Sequence, residues 1–158
     1  MKYLKSRVDV VFLGILSFVL LLIPLSDHLI KSNVVRNLDD NTEVNTAIPF
    51  LKITRVKNFG VAFGFFKNKS LFILSSVIVI LAVLIAMIVF GKIKNKITIL
   101  GMCFTLGGGI GNLIDRIFFG YVIDYFKLDF FAPVFNLSDC FICLGIMLII
   151  IENLKVNS

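Results

Sequence analysis

The sequence predicts an all-α membrane protein in which four transmembrane helices carry a small extracytoplasmic β-rich platform. Three observations predict it. Of the 158 residues, 58% are hydrophobic and the mean hydropathy is +0.99, far too apolar for a soluble domain. Four stretches are long and nearly free of charge. Between the first two lies a polar segment followed by β-branched and aromatic residues. A chain this short makes one compact unit, so 1–158 is expected to form a single membrane domain.

The first span is expected at about 9–26, around the charge-free run Val10–Ser26. It is near the lower length limit, but polar flanks can extend it by snorkelling. Lys2, Lys5 and Arg7 precede it, as in a secretory signal. Ile23-Pro24-Leu25-Ser26-Asp27 offers no small-residue cleavage site, so the segment is expected to remain as an anchor. Residues 32–69 form the extracytoplasmic insertion: SNVVRNLDDNTEVN is polar and turn-prone, and IPFLKITRVKNFGVAFGFF favours short strands at the membrane surface. The second span, 70–91, reaches roughly 33 Å at 1.5 Å per residue and crosses a bilayer unaided. The third is expected at 97–114 and the fourth at 132–152. Lys92, Lys94 and Lys96 crowd the link between the second and third, and with the basic start they put both termini in the cytoplasm.

The net charge of +6 suits anionic lipid headgroups. Nucleic acid is a poor partner, because the basic residues are dispersed around spans rather than gathered on a patch. Cys103, Cys140 and Cys143 are odd in number and sit in apolar runs, which argues against a disulfide framework. Without a second Cys/His pair, Cys140-x-x-Cys143 does not imply a metal, and no cofactor is expected. His28, the only histidine, lies beside Asp27 at a membrane boundary and is not assigned to the site.

The chemistry is expected to lie with two carboxylates. From Phe130 to Ile151 the only charge is Asp139, and a carboxylate in hydrocarbon costs on the order of 2.5–3.5 kcal/mol, so it is kept there mainly for function. Asp124 lies a short loop upstream. Two carboxylates about 4 Å apart repel by roughly 4 kcal/mol at an effective dielectric near 20, about three pKa units, and would share a proton near neutral pH. One can then activate water while the other polarises a carbonyl, which is peptide hydrolysis without a metal or covalent intermediate. The rival for Asp139 is a helix cap, since Asn136, Ser138 and Asp139 follow Pro133 and all suit helix starts. For Asp124 the rival is an ordinary loop acid. Gly107-Gly108-Gly109-Ile110-Gly111-Asn112 permits close helix approach. Asn112 stands one turn before Arg116, and a polar edge beside a glycine seam implies a lined cavity.

These residues place the chain beside a known family. It resembles signal peptidase II, the bacterial lipoprotein signal peptidase, over nearly its whole length. Five blocks carry the resemblance, in order: Asp27-His28-Leu29-Ile30-Lys31, then Val56 to Gly64 around Asn58-Phe59-Gly60, then Gly108 to Arg116, then Gly120-Tyr121-Val122-Ile123-Asp124-Tyr125, and Phe135-Asn136-Leu137-Ser138-Asp139. The resemblance implies a catalytic dyad of Asp124 and Asp139. It also implies a site lined by Asn58, Gly60, Asn112, Arg116 and Asn136, with Asp27, Lys31 and Asp115 structural. Asp115 and Arg116 point about 100° apart on a helix, which leaves Arg116 the cavity face. An ion pair or a lipid headgroup is the alternative for Arg116. Ile30, Val61, Tyr125 and Ser138 depart from the usual hydroxyl residue, Ala, Phe and Ala of the family pattern. The interval from Asp124 to Asp139 is short for the family, so a trimmed loop over the site is expected.

By resemblance the chain is an aspartyl endopeptidase that removes signal peptides from prolipoproteins, cutting before a diacylglyceryl-modified cysteine. It would act as a monomer in the bacterial cytoplasmic membrane, among membrane lipids, with the dyad toward the outer leaflet. Two other classes compete: a proton or ion carrier with acids at several depths, and a helper protein whose polar groups only fix helix packing. Here the acids cluster toward one face, which disfavours the carrier. Other intramembrane aspartyl proteases need Gly-x-Gly-Asp, and the glycines here are followed by Ile110 and Asn112 instead.

Overall fold

The computed structural model describes residues 2–60, 75, 78–80, 82–84, 86 and 95–156. The first helix, α1, runs Lys2–Asn37 and carries Pro24 within it. The helix runs past the expected 9–26 span at both ends, and residues 32–37 of the expected insertion are helical. Turn-prone SNVVRN stays helical because tertiary contacts override its propensity: Lys31 and Val34 are buried, and Lys31 pairs with Asp27 one turn earlier at 2.5 Å. Arg55 closes the helix end by donating to the carbonyls of Val35 and Leu38 at 3.4 and 3.1 Å.

Of the expected second span, 70–91, only residues 75, 78–80, 82–84 and 86 are described, and these are helical. The rest of that expectation lies outside the described residues. The next helix, α2, runs Lys96–Phe119, five residues past the expected end at 114. The Asn95 side chain accepts from the Ile97 and Thr98 amides at its start. Gly120 ends it in the left-handed region, φ 77°, where glycine costs least.

Among the described residues, four strands form one antiparallel sheet in the order β1 (Glu43–Asn45), β2 (Leu51–Asn58), β3 (Val122–Leu128) and β4 (Phe131–Phe135). Half of this sheet was not foreseen. The expectation confined strands to the insertion, but β3 and β4 lie between α2 and the last helix, and β4 occupies what was read as the start of the fourth span. FFAPVF looks like the start of an apolar helix because Asp139 is the only charge from Phe130 to Ile151. Pro133 is tolerated because β4 is an edge strand. The last helix, α3, runs Leu137–Val156, so the expected 132–152 is shifted by five residues at its start.

Glycines let α2 and α3 approach closely. A Cβ at Gly101 would lie 2.7 Å from the Gly145 carbonyl oxygen, and one at Gly108 would overlap the Ser138 carbonyl oxygen. Gly107 meets Ile23 of α1. Helix α2 is thus the buried centre, while α1 and α3 turn Leu21, Leu25, Leu29, Ile150 and Leu154 outward. Among the described residues three helices are long and apolar enough to cross a membrane: Val11–Asn37, Lys96–Phe119 and Leu137–Lys155. The protein is membrane-embedded, with a small sheet at one end of its helices.

Candidate active site

The start of α3 is where the site assembles. Asn136 is its N-cap and Asp139 its third helical residue, and the two exchange bonds. The Asp139 amide donates to Asn136 Oδ1 at 2.9 Å, and the Asn136 amide donates to Asp139 Oδ2 at 3.2 Å. This is a reciprocal capping box, so Asp139 does serve the helix start, as the partner of the cap rather than the cap itself.

The Asp124 carboxylate comes from β3, nearly fully buried. Val56 faces Asp124 and Asn58 faces Val122 in the β2–β3 register, which leaves Asn58 diagonal to Asp124 on one face. Asn58 Nδ2 donates to Asp124 Oδ2 at 2.8 Å and Asn136 Nδ2 to Oδ1 at 2.7 Å. Asn112 Nδ2 donates to Asp139 Oδ1 at 2.7 Å. Each of the four carboxylate oxygens therefore accepts a bond from a named donor, and each keeps a second lone-pair direction for water or a shared proton. Burial, and then the Asp139 charge, push the Asp124 pKa up to about 7, against the lowering effect of Asn58, Asn136 and Lys31. A carboxyl so placed holds or releases a proton near neutral pH.

Both acids line one cleft of about 690 Å³. Its polar end holds Asn58, Asn112, Arg116, Asp124 and Asp139, and its walls are apolar, with Phe130, Phe131, Val134, Phe135 and Ile142 among them. Cys140 and Cys143 also line it as free thiols, and the sequence reading did not place them there. Arg116 donates to the Asn112 carbonyl at 3.2 Å and the Gly60 carbonyl at 3.1 Å. Gly60 in turn donates its amide to Asn58 Oδ1 at 2.9 Å. Gly60 and Asn136, expected to line the site, stand behind it. Gly60 anchors Arg116 and Asn58, and Asn136 is fully buried with its amide engaged by Asp124 and Asn112.

Beneath the cleft lies a buried charge cluster. Lys31 bridges Asp27 at 2.5 Å and Asp115 at 2.9 Å, and donates to Asn112 Oδ1 at 3.2 Å. Asp115 also accepts the Ile123 amide at 3.0 Å, tying α2 to β3. Asp27 accepts from Tyr125 at 3.0 Å and Ser138 at 2.7 Å. Tyr125 and Ser138 are two positions where the chain departs from the family pattern noted above, and both hydroxyls end on this one carboxylate. The signal in the sequence was a hydroxyl at each of two positions flanking the acids. Burial and the Asp27 charge hold the Tyr125 phenol above its ordinary pKa, so it remains a donor. Among the described residues no group of three His, Cys, Asp or Glu side chains could hold a metal ion.

The chain is similar to several known proteins. The family model described as signal peptidase (SPase) II matches residues 19–155. A lipoprotein signal peptidase of Bartonella henselae is 41% identical over 133 residues, covering 81% of this chain and 81% of that protein. That of Bartonella tribocorum is 38% identical over 134 residues, covering 82% and 80%, and that of Clostridium tetani 32% over 133, covering 82% and 85%. Two bacterial membrane enzyme structures solved by the in meso method share the fold at 27% identity. Their TM-scores are 0.85 and 0.81, covering 92% and 90% of this chain and 90% and 94% of theirs.

Proposed function

The chain belongs to the signal peptidase II family, and from that premise we propose that it is a membrane aspartyl endopeptidase removing signal peptides from diacylglyceryl-modified prolipoproteins. The observation that carries the reading is the joining of Asp124 and Asp139 through Asn136. That one residue donates its side-chain amide to the first carboxylate and its backbone amide to the second, at the polar end of a shared cleft.

With one proton between them, the ionised member of the dyad takes a proton from water. The protonated member gives its own to the scissile carbonyl oxygen, and the resulting hydroxide oxygen bonds to the carbonyl carbon. A proton returned to the peptide nitrogen breaks the C–N bond, leaving the lipidated cysteine as a new N-terminus. An Asp124 pKa of about 7 suits both halves of this exchange. Asn58 and Asn112 hold the two carboxylates in place while Arg116 faces the substrate backbone or the dyad's charge. Apolar walls next to the polar end let acyl chains remain in lipid-like surroundings while the scissile bond reaches the acids.

On this reading the helical residues 75, 78–80, 82–84 and 86 belong to a fourth span, and the sheet lies on the extracytoplasmic side of the bacterial cytoplasmic membrane, with both termini inside. The active site then opens toward the outer leaflet, and the protein acts as a monomer among lipids. Incubating the purified chain with a lipidated precursor and its unlipidated twin, and reading product mass, tests the activity. Cleavage of the lipidated precursor before its modified cysteine is expected. An intact lipidated precursor, or equal cutting of both, would reject the reading.

A further inference from the structure

Lys31 is 2% exposed, and its ammonium directs its three N–H groups to Asp27, Asp115 and the side-chain oxygen of Asn112. We propose that Lys31 is a positioning residue for the reaction: it fixes which way the Asn112 amide faces, and so keeps an N–H aimed at Asp139. This rests on the peptidase reading above and assigns that site a further member, one that touches neither substrate nor the reacting carboxyls.

Polarity decides which way the amide faces. An asparagine amide can turn over, exchanging its oxygen and nitrogen with little change of shape. In the observed orientation Asn112 Oδ1 accepts from Lys31 and from Asn136, and Nδ2 donates to Asp139. The reverse orientation would set an NH2 group against an ammonium, which has no lone pair, and an oxygen against a carboxylate. Asp139 alone cannot enforce the choice, because a carboxyl carrying the dyad's proton can donate as well as accept. Asn136 divides two hydrogens among Asp124, Asn112 and the Ile123 carbonyl. The ammonium is the donor whose polarity never reverses, and its bond to Asn112 is charge-assisted. Asp27 and Asp115 in turn keep the ammonium aimed through their ion pairs with it.

A pair of double variants isolates the donor. Lys31→Met with Asp115→Asn leaves the buried cluster at the same net charge of minus one but offers nothing to Asn112. Lys31→Gln with Asp115→Asn has that same charge and retains an N–H donor on a side chain one atom shorter. In both, the asparagine oxygen at position 115 can still accept the Ile123 amide. Purified full-length proteins are compared by thermal unfolding in detergent and by kcat and KM on the lipidated precursor.

The expected result is a folded Met-containing variant whose kcat is down about tenfold or more with KM nearly unchanged, and recovery of most of that loss in the Gln-containing one. A wild-type kcat in the Met-containing variant, or equal impairment of the two, would overturn the proposal. So would a loss carried mainly by KM. Failure of both to fold would also overturn it, by assigning Lys31 to folding alone. A wild-type chain that leaves the lipidated precursor intact would sink the peptidase reading itself, and this inference with it.

Discussion

Gly111→Ala should disable the site from outside it, and Ser138→Ala should repair the damage. A Cβ at Gly111 would fall more than an ångström inside contact distance of Ser138 Oγ. That hydroxyl cannot rotate away freely, because it donates to Asp27 Oδ2 at 2.7 Å. Overpacking of this kind costs about 1–3 kcal/mol, or roughly 2–4 °C in Tm per kcal/mol for a chain of this size. The displaced element is the first turn of α3, one residue before Asp139. A shift of about 1 Å there can lower the rate of cleavage on the order of a hundredfold.

With Ser138→Ala the nearest α3 atom becomes the Cβ at position 138, 3.5 Å away, and the Asp27 oxygen at 3.4 Å; both are ordinary contacts. The single Ser138→Ala change loses one hydrogen bond to a carboxylate that keeps Lys31 and Tyr125 as donors. The double variant should therefore be more stable and more active than Gly111→Ala alone, with a coupling of about 1–3 kcal/mol in the double-mutant cycle. Thermal unfolding in detergent and initial rates on a lipidated precursor measure both halves. Additive effects of the two changes, or unimpaired processing by Gly111→Ala, would refute the packing argument.

Asp124→Asn and Asp139→Asn should each lower cleavage at least a thousandfold while leaving membrane insertion intact, as read by precursor processing and membrane fractionation. Near wild-type processing by either variant rejects the dyad. The pH dependence follows from Asp124. Asp124 holds its proton up to about pH 7, where an unfolded carboxyl releases it near 3.8, so activity that needs the shared proton should fall as pH rises through about 7. For the same reason the folded state binds more protons than the unfolded one between those values. Stability should therefore decline, not rise, across that window, and unfolding at a series of pH values checks it. Asn95→Ala removes the α2 cap and the bond from Asn95 Nδ2 to Glu152 at 2.7 Å, and should lower stability by about 1–2 kcal/mol without changing kcat.

Sequence order explains which parts of the fold could be foreseen. Three described helices occupy the apolar runs expected of them, because hydrocarbon demands long charge-free segments and any such segment is visible as one. Helix ends were misplaced wherever a tertiary partner decided them: Asn37 because Lys31 and Val34 are buried by other elements, and Leu137 because β4 pairs with β3. Strand β4 went unread because it runs into α3 with no charge between them, and β3 because its partners lie far away along the chain. Pairing of β3 with residues 51–58, more than sixty positions earlier, and of β4 with β3 is what makes them strands.

At the site, chain chemistry alone singled out Asp124 and Asp139, since a carboxylate in an apolar run is costly wherever the chain bends. The polar edge beside the glycine seam marked Asn112 and Arg116, and the resemblance added Asn58 and Asn136. Only the tertiary structure decided what each one touches: Asn136 ties the two acids together, Gly60 holds Arg116 from behind, and Tyr125 and Ser138 converge on Asp27 from positions 98 and 111 residues away. Desolvation is a property of a residue and its surroundings in the chain, so it can be read in order. Hydrogen-bond direction depends on which groups meet across elements, and that exists only once α1, α2, the sheet and α3 have closed on one another.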